Sequence, residues 1–94
     1  MPDAAKTARV FGALSAESRV RMLQLLKDGP LCVGALAGRL NLTSGAVSQH
    51  LRILRDAGLV VSEKRGYFVH YRINGATLAR WKRIAQEMLS IRQD

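Results

Sequence analysis

The sequence is short of several things at once. It has one cysteine, two prolines, five aromatic residues and seven acids in 94 residues. A single cysteine excludes an internal disulfide framework and fits a reducing compartment. No apolar run approaches the ~18 residues that a membrane helix requires. The opening "MPDAAKTARVF" lacks the apolar centre of a signal peptide, so the expected location is the cytoplasm, with no membrane partner. With so few aromatics, the core must be built from Leu, Val and Ala, which suits a helical globule. At this length we expect one domain, 1–94, with a modest core that dimerisation would help to complete.

The scarcity of acids has a partner consequence. Fifteen Lys plus Arg against seven Asp plus Glu leave a net charge of +8. The excess is spread along the whole chain rather than gathered in a tail. A body that is positive throughout points to a polyanion, with nucleic acid favoured over a membrane surface.

Periodicity divides the chain into helices first. Val10, Phe11 and Leu14 share a face of a first helix over residues 4–14. Ser15 reads as the N-cap of a second, in which Val20, Leu23 and Leu26 form the stripe with Met22 and Leu25 beside it. "DGP" at 28–30 stops that helix. Val33, Leu36, Ala37 and Leu40 follow i, i+3, i+4, i+7 spacing and make a short third helix. Asn41 suits a left-handed turn, and Thr43 caps a fourth helix that Gly58 ends. A short helix, a turn of about four residues and a longer helix are the layout of a helix-turn-helix.

After Gly58 the period becomes two. Tyr67, Val69, Tyr71 and Ile73 alternate with Phe68, His70 and Arg72, and two strands bracketing "KRG" form a hairpin with Gly66 in the turn. Asn74-Gly75 breaks the second strand. Leu78, Trp81, Ile84, Ala85, Met88 and Ile91 then stripe a final helix. The predicted fold is mainly α with a small β-hairpin (α+β), a winged helix-turn-helix in the order ααααββα.

The fourth helix carries the functional signal. Val47, Leu51, Leu54, Ala46, His50, Ala57 and Ile53 fall on one arc, and Gly45, Ser48, Gln49, Arg52, Arg55 and Asp56 on the other. Its outward first turns, with Ser44, offer hydroxyls, an amide and a bare glycine before the first cation, Arg52. Small residues let a backbone approach base edges, Gln can pair with adenine, and Arg can bind guanine or phosphate. In a helix-turn-helix the start of the second helix does the reading. Thr43 and the N–H groups of the first turn can hold phosphate. Lys64 and Arg65, at the hairpin tip, can lie along the flanking backbone or in a minor groove. The candidate contacts with double-stranded DNA are therefore Thr43, Ser44, Gly45, Ser48, Gln49, Arg52, Lys64 and Arg65. His50 flanks the apolar arc, which suits a packed histidine bonded to backbone better than a ligand. Ser48 and His50 point apart and cannot form a nucleophile–base pair.

"FGALSAESRVRMLQLL", "LCVGALAGRLNLTSGAVSQHLRILRDAGLV" and "RGYFVHYRI" together resemble the ArsR/SmtB family of bacterial winged-helix repressors, over about residues 8–74 and without gaps. The resemblance implies a cytoplasmic homodimer that occupies a palindromic operator and blocks transcription. It implies dimerisation through the first and last helices, here Val10, Phe11, Leu14, Leu78, Trp81, Ile84 and Met88. One common metal site of the family begins the third helix in a motif like "ELCVCDL". The corresponding "PLCVGAL" keeps Cys32 but has Gly34 and Ala35 in place of the second thiol and the acid, where a soft metal needs two to four thiolates or imidazoles. The family's other site uses His and acids on the last helix, where residues 76–94 offer no His and only Glu87 and Asp94. The expectation is therefore no metal and no cofactor, with the inducer left open.

Cys32 is either a small packed residue at a helix start or a thiol sensor activated by the helix N-terminus. The leading function is an operator-specific repressor. The alternatives are a regulator controlled by a partner, a small molecule or its own concentration, and a winged-helix module that binds protein instead of DNA. An enzyme is disfavoured, since there is no phosphate-binding glycine loop, no acid pair and no catalytic constellation.

Overall fold

The computed structural model describes residues 3–90; Ile91 and Asp94 lie outside the described residues. The elements run α1 (Ala4–Ala13), α2 (Glu17–Leu26), β1 (Leu31–Cys32), α3 (Val33–Leu40), α4 (Ser44–Asp56), β2 (Val60–Arg65), β3 (Phe68–Ile73) and α5 (Gly75–Leu89). This is the winged helix-turn-helix the patterns predict, with one addition. The two residues of β1 pair with β3, so the wing is a three-stranded antiparallel sheet in the order β1-β3-β2.

Local chemistry explains most helix ends. The Asp3 carboxylate accepts the Ala5 N–H at 2.9 Å and starts α1. Thr43 Oγ1 accepts the Ala46 N–H at 3.1 Å and starts α4, while Asn74 Oδ1 accepts the Thr77 N–H at 3.3 Å and starts α5. Asp3 also accepts the Lys6 N–H at 3.3 Å, so each cap satisfies at least one of the donors that a helix leaves without an internal partner. Asn41 sits at φ 55°, ψ 46°, the left-handed turn between α3 and α4. Gly58 takes φ 79° just beyond α4, a conformation that a Cβ would strain.

Two expectations about α2 fail. Ser15 is not its N-cap: Ala16 holds that place without a side-chain bond, and Ser15 Oγ donates back to the Gly12 carbonyl at 2.7 Å. The hydroxyl thus serves the end of α1, whose last carbonyls also need donors. The buried stripe is Met22, Leu23 and Leu26, while Val20 stays 37% exposed. Arg19, one turn before Met22 and Leu23 on the same side, crosses to α1. Its guanidinium donates to the carbonyls of Ala13 at 2.7 Å and Gly12 at 3.3 Å.

One core joins all these elements. Met22, Leu36, Val47, Leu51, Leu54, Leu59 and Val60 are fully enclosed, and Val10 and Trp81 extend the core between α1 and α5. Each such aliphatic side chain contributes about 1.5–3 kcal/mol on burial. Three of the seven lie on α4, which fixes that helix firmly against α2 and α3.

Candidate nucleic-acid interface

The burial of Val47, Leu51 and Leu54 turns the other side of α4 outward. Thr43, Ser44, Gly45, Ser48, Gln49 and Arg52 are all exposed, so all six predicted reading residues lie on one accessible face. Ile53 and Ala57 do not follow the apolar arc assigned to them. Both are exposed, Ile53 at 40%. Ala57 lines a cleft walled by α1 and α5, so open space rather than packed side chains lies beside it.

His50 is half-buried, and its partner is a side chain rather than the backbone. Arg19 Nη1 lies 3.2 Å from His50 Nδ1. Arginine can only donate, so Nδ1 is the acceptor in this contact. Arg19 therefore ties the end of α1 to the middle of α4. The sequence pattern hid this residue, because an arginine between apolar positions reads as surface.

The wing rearranges its predicted cations. The turn is Gly66-Tyr67, with φ 63° at the glycine alone, the arrangement of a type II′ hairpin. Lys64 and Arg65 are consequently the last residues of β2 and point to opposite faces. Lys64 pairs with Val69, on the face that carries Tyr71, Ile73 and the buried Val60. Arg65 pairs with Phe68 on the other face, and there its guanidinium meets Glu63 at 3.2 Å. Arg72 holds the same carboxylate at 2.8 Å. The hydrogen bond from Arg72, followed by that from Arg65, holds the Glu63 carboxyl below its ordinary value of 4.5. The two predicted wing contacts thus differ: Lys64 has no ion-pair partner among the described residues, whereas Arg65 is engaged.

Between α4 and the wing lies a cleft of about 310 Å³ lined by Ser48, Leu51, Arg52, Arg55 and Tyr71. Arg55 and Tyr71 were not among the predicted contacts. Arg55 could have been found, since it lies three residues after Arg52 and seven after Ser48 on the same helical face. Tyr71 alternates in phase with the apolar positions Val69 and Ile73, which disguised it. The tip itself is apolar, with Tyr67 fully exposed and Phe68 63% exposed.

Cys32 is half-buried, the residue before α3. It pairs across the sheet with His70, whose Nδ1 is buried and makes no hydrogen bond. Of the residues predicted for dimerisation, Val10 and Trp81 are already in the protomer's core. Leu14, Leu78 and Ile84 are partly covered, and Phe11 and Met88 are exposed at 38% and 56%.

The sequence model of the family described as "Bacterial regulatory protein, arsR family" matches residues 16–62, which run from the residue before α2 through α4 into β2. The chain belongs to the ArsR family. It is accordingly a DNA-binding transcriptional regulator. The transcriptional repressor SdpR of Bacillus subtilis is 35% identical over 69 residues, covering 73% of this chain and 77% of its own length. The structure of reduced HlyU from Vibrio cholerae superposes with a TM-score of 0.74 at 33% identity, covering 93% of each chain. A homodimeric winged helix-turn-helix DNA-binding domain from Mycobacterium bovis, solved by NMR, gives a TM-score of 0.74 at 28% identity, with 96% of this chain and 87% of that one covered. The match spans little more than half the length of some other curated ArsR-family relatives, 52% and 57% in two of them.

Proposed function

We propose that the chain acts as a homodimeric repressor that reads a palindromic operator through the exposed start of α4. The observation that carries this is the uncharged face of Ser44, Gly45, Ser48 and Gln49, backed by side chains exposed by 1% or less. A rigid, small and hydrogen-bonding helix start can approach base edges, and the cations Arg52, Arg55 and Lys64 around it can hold phosphates. Thr43 and the first-turn N–H groups would meet a phosphate. The half-covered and exposed apolar residues of α1 and α5, Phe11, Leu14, Leu78, Ile84 and Met88, would form the dimer contact, with Val10 and Trp81 bracing them from within. The homodimeric domain from Mycobacterium bovis supports the oligomeric reading. Curated relatives include both the repressor SdpR and the transcriptional activator HlyU of Vibrio cholerae. We favour repression because nothing on the wing or α4 is needed beyond DNA occupancy.

We read the chain as a non-enzymatic protein whose binding needs no metal. Cys32 has no second thiol near it in sequence, and Glu87 is the one acid in the described part of α5. Among the described residues no three His, Cys, Asp or Glu side chains converge. Titration with Zn²⁺, Cd²⁺ or As(III) should accordingly give no stoichiometric binding.

A gel shift with the chain's own upstream DNA, followed by footprinting and transcription in vitro, tests the reading. A protected inverted repeat and loss of transcript are expected. Failure to shift any promoter fragment at low salt would favour the protein-interaction module instead. A thiol-sensing variant of the same function is favoured by one observation, the placement of Cys32 opposite the orphaned His70 ring. Operator binding by Cys32→Ser under oxidant and reductant decides it, and identical behaviour of wild type and variant in both would end it.

A further inference from the structure

A second cleft lies on the far side of the end of α4, where α1, α4 and α5 meet. It has a volume of about 260 Å³, and its lining includes Lys6 and Arg9 from α1, Asp56 from α4, and Arg80, Trp81 and Ile84 from α5. Three cations face a single carboxylate. None of the three makes a salt bridge among the described residues, and Arg80 makes one hydrogen bond, to Thr77 Oγ1 at 3.0 Å. The floor is apolar, supplied by Trp81 and Ile84. The carbonyls at the end of α4 add little negative charge, because the N–H groups of Gly58 and Leu59 cap those of Arg55 and Leu54 at 2.8 and 3.0 Å. Cations grouped above an indole and an aliphatic floor match an anionic head on a flat apolar body. The volume lies just below the roughly 300 Å³ at which ordinary ligand clefts begin, which limits the body to one or two rings.

We propose that this cleft binds a small aromatic carboxylate or sulfonate and that occupancy weakens DNA binding by α4. The coupling has a short path. Asp56 lines this cleft while its neighbour Arg55 lines the cleft between α4 and the wing. A negative charge placed beside Asp56 therefore sits next along the helix to a cation that would hold phosphate, and it lowers the positive potential of that end of α4. The coupling rests on the DNA-reading function proposed above, whereas the anion site does not. Val10, Trp81 and Ile84, which line the cleft, also belong to the residues proposed for dimerisation, so the cleft opens beside that contact.

The test uses naphthalene-1-sulfonate with the DNA-free protein. Binding is read by calorimetry and by quenching of Trp81, the chain's sole tryptophan. Saturable binding at one anion per chain is expected, with the neutral 1-naphthalenemethanol about tenfold weaker or worse. The Lys6→Ala/Arg9→Ala protein changes only exposed positions and should keep its helical circular dichroism while losing about tenfold in affinity. No saturation up to about 1 mM would overturn the site. So would equal affinity for the neutral analogue, or unchanged affinity in the folded double variant. A labelled operator is then titrated with and without saturating anion. Weaker DNA binding is expected, and an unchanged isotherm on an operator that binds normally would overturn the coupling alone.

Discussion

The start of α4 and the tip of the wing are built in opposite ways. On α4 the outward residues are small and uncharged, and the inward ones, Val47, Leu51 and Leu54, are exposed by 1% or less. On the wing the tip is aromatic, flanked by the strand cations Lys64 and Arg65, and it stands open: Tyr67 is wholly exposed, Phe68 63% and Val69 43%. A helix that must discriminate between bases gains from being held in one place, since a bidentate contact tolerates little displacement. A hairpin that holds phosphates needs reach and charge more than exact position. The two regions therefore suit different parts of one task, specificity and affinity, and each part fails in its own way.

The largest expected effect separates anchored from unanchored residues. Leu51→Ala removes a fully buried side chain beneath the reading face and should destabilise the protein by about 2–5 kcal/mol. Tyr67→Ala, at the other extreme, should shift stability by no more than about 0.5 kcal/mol. Urea unfolding of the two variants checks the contrast. Equal destabilisation would mean that the wing tip is packed against something after all.

Next in size is the discrimination itself. Gln49→Ala should cost about 1–3 kcal/mol at the cognate operator while leaving binding to random DNA nearly unchanged. Competition with operators altered one base pair at a time would show relaxed preference at a single position in each half-site. If preference stays intact, the reading face is not where α4 presents Gln49.

Both predictions begin from features legible in the sequence. Apolar spacing gave α4 its buried arc, and Thr43 and Gly58 marked its ends, because each of those signals is local. What the sequence hid was set by contacts between distant segments. The two residues of β1 carry no period and become a strand only where β3 pairs with them. Ser15 looked like a cap for α2 because a hydroxyl before a helix usually is, but the carbonyl of Gly12 took it. Val20 and Met22 both looked apolar enough for the stripe. Arg19 lies on the side of Met22 and Leu26 and bridges to α1 and His50, and no periodicity can report that. The wing failed more subtly. "KRG" correctly marked a turn containing Gly66, but the turn is Gly66-Tyr67, so Lys64 and Arg65 become strand residues and point to opposite faces.

That placement makes the two cations unequal, although sequence alone treats them alike. Lys64→Ala should weaken binding to specific and random DNA together and reduce the slope of log K against log salt by about 1. Arg65→Ala should do less of both, because Glu63 already occupies its guanidinium. Salt titrations of the two variants side by side rank them, and a larger effect at Arg65 would show that DNA pulls it away from Glu63.

The smallest effect tests that restraint directly. Glu63 faces Arg72 and Arg65, and its carboxyl is held below the ordinary 4.5 by the former first and then the latter. A carboxylate with a lowered folded value stabilises the hairpin above pH 4.5, and that contribution is lost as the pH falls through the lowered value. At neutral pH the clamp is fully in place, so acid is not a practical way to open it. Glu63→Gln is, since the amide keeps the shape and removes the charge. The pair is exposed, and surface pairs of this kind contribute little to stability. Thermal unfolding of the variant should therefore match wild type. Its binding to random DNA should tighten modestly and its salt slope steepen, by less than the full unit that one new phosphate contact would bring. An unchanged slope would mean that Arg65 and Arg72 lie away from the phosphates and that, among the cations of the wing strands, Lys64 alone reaches DNA.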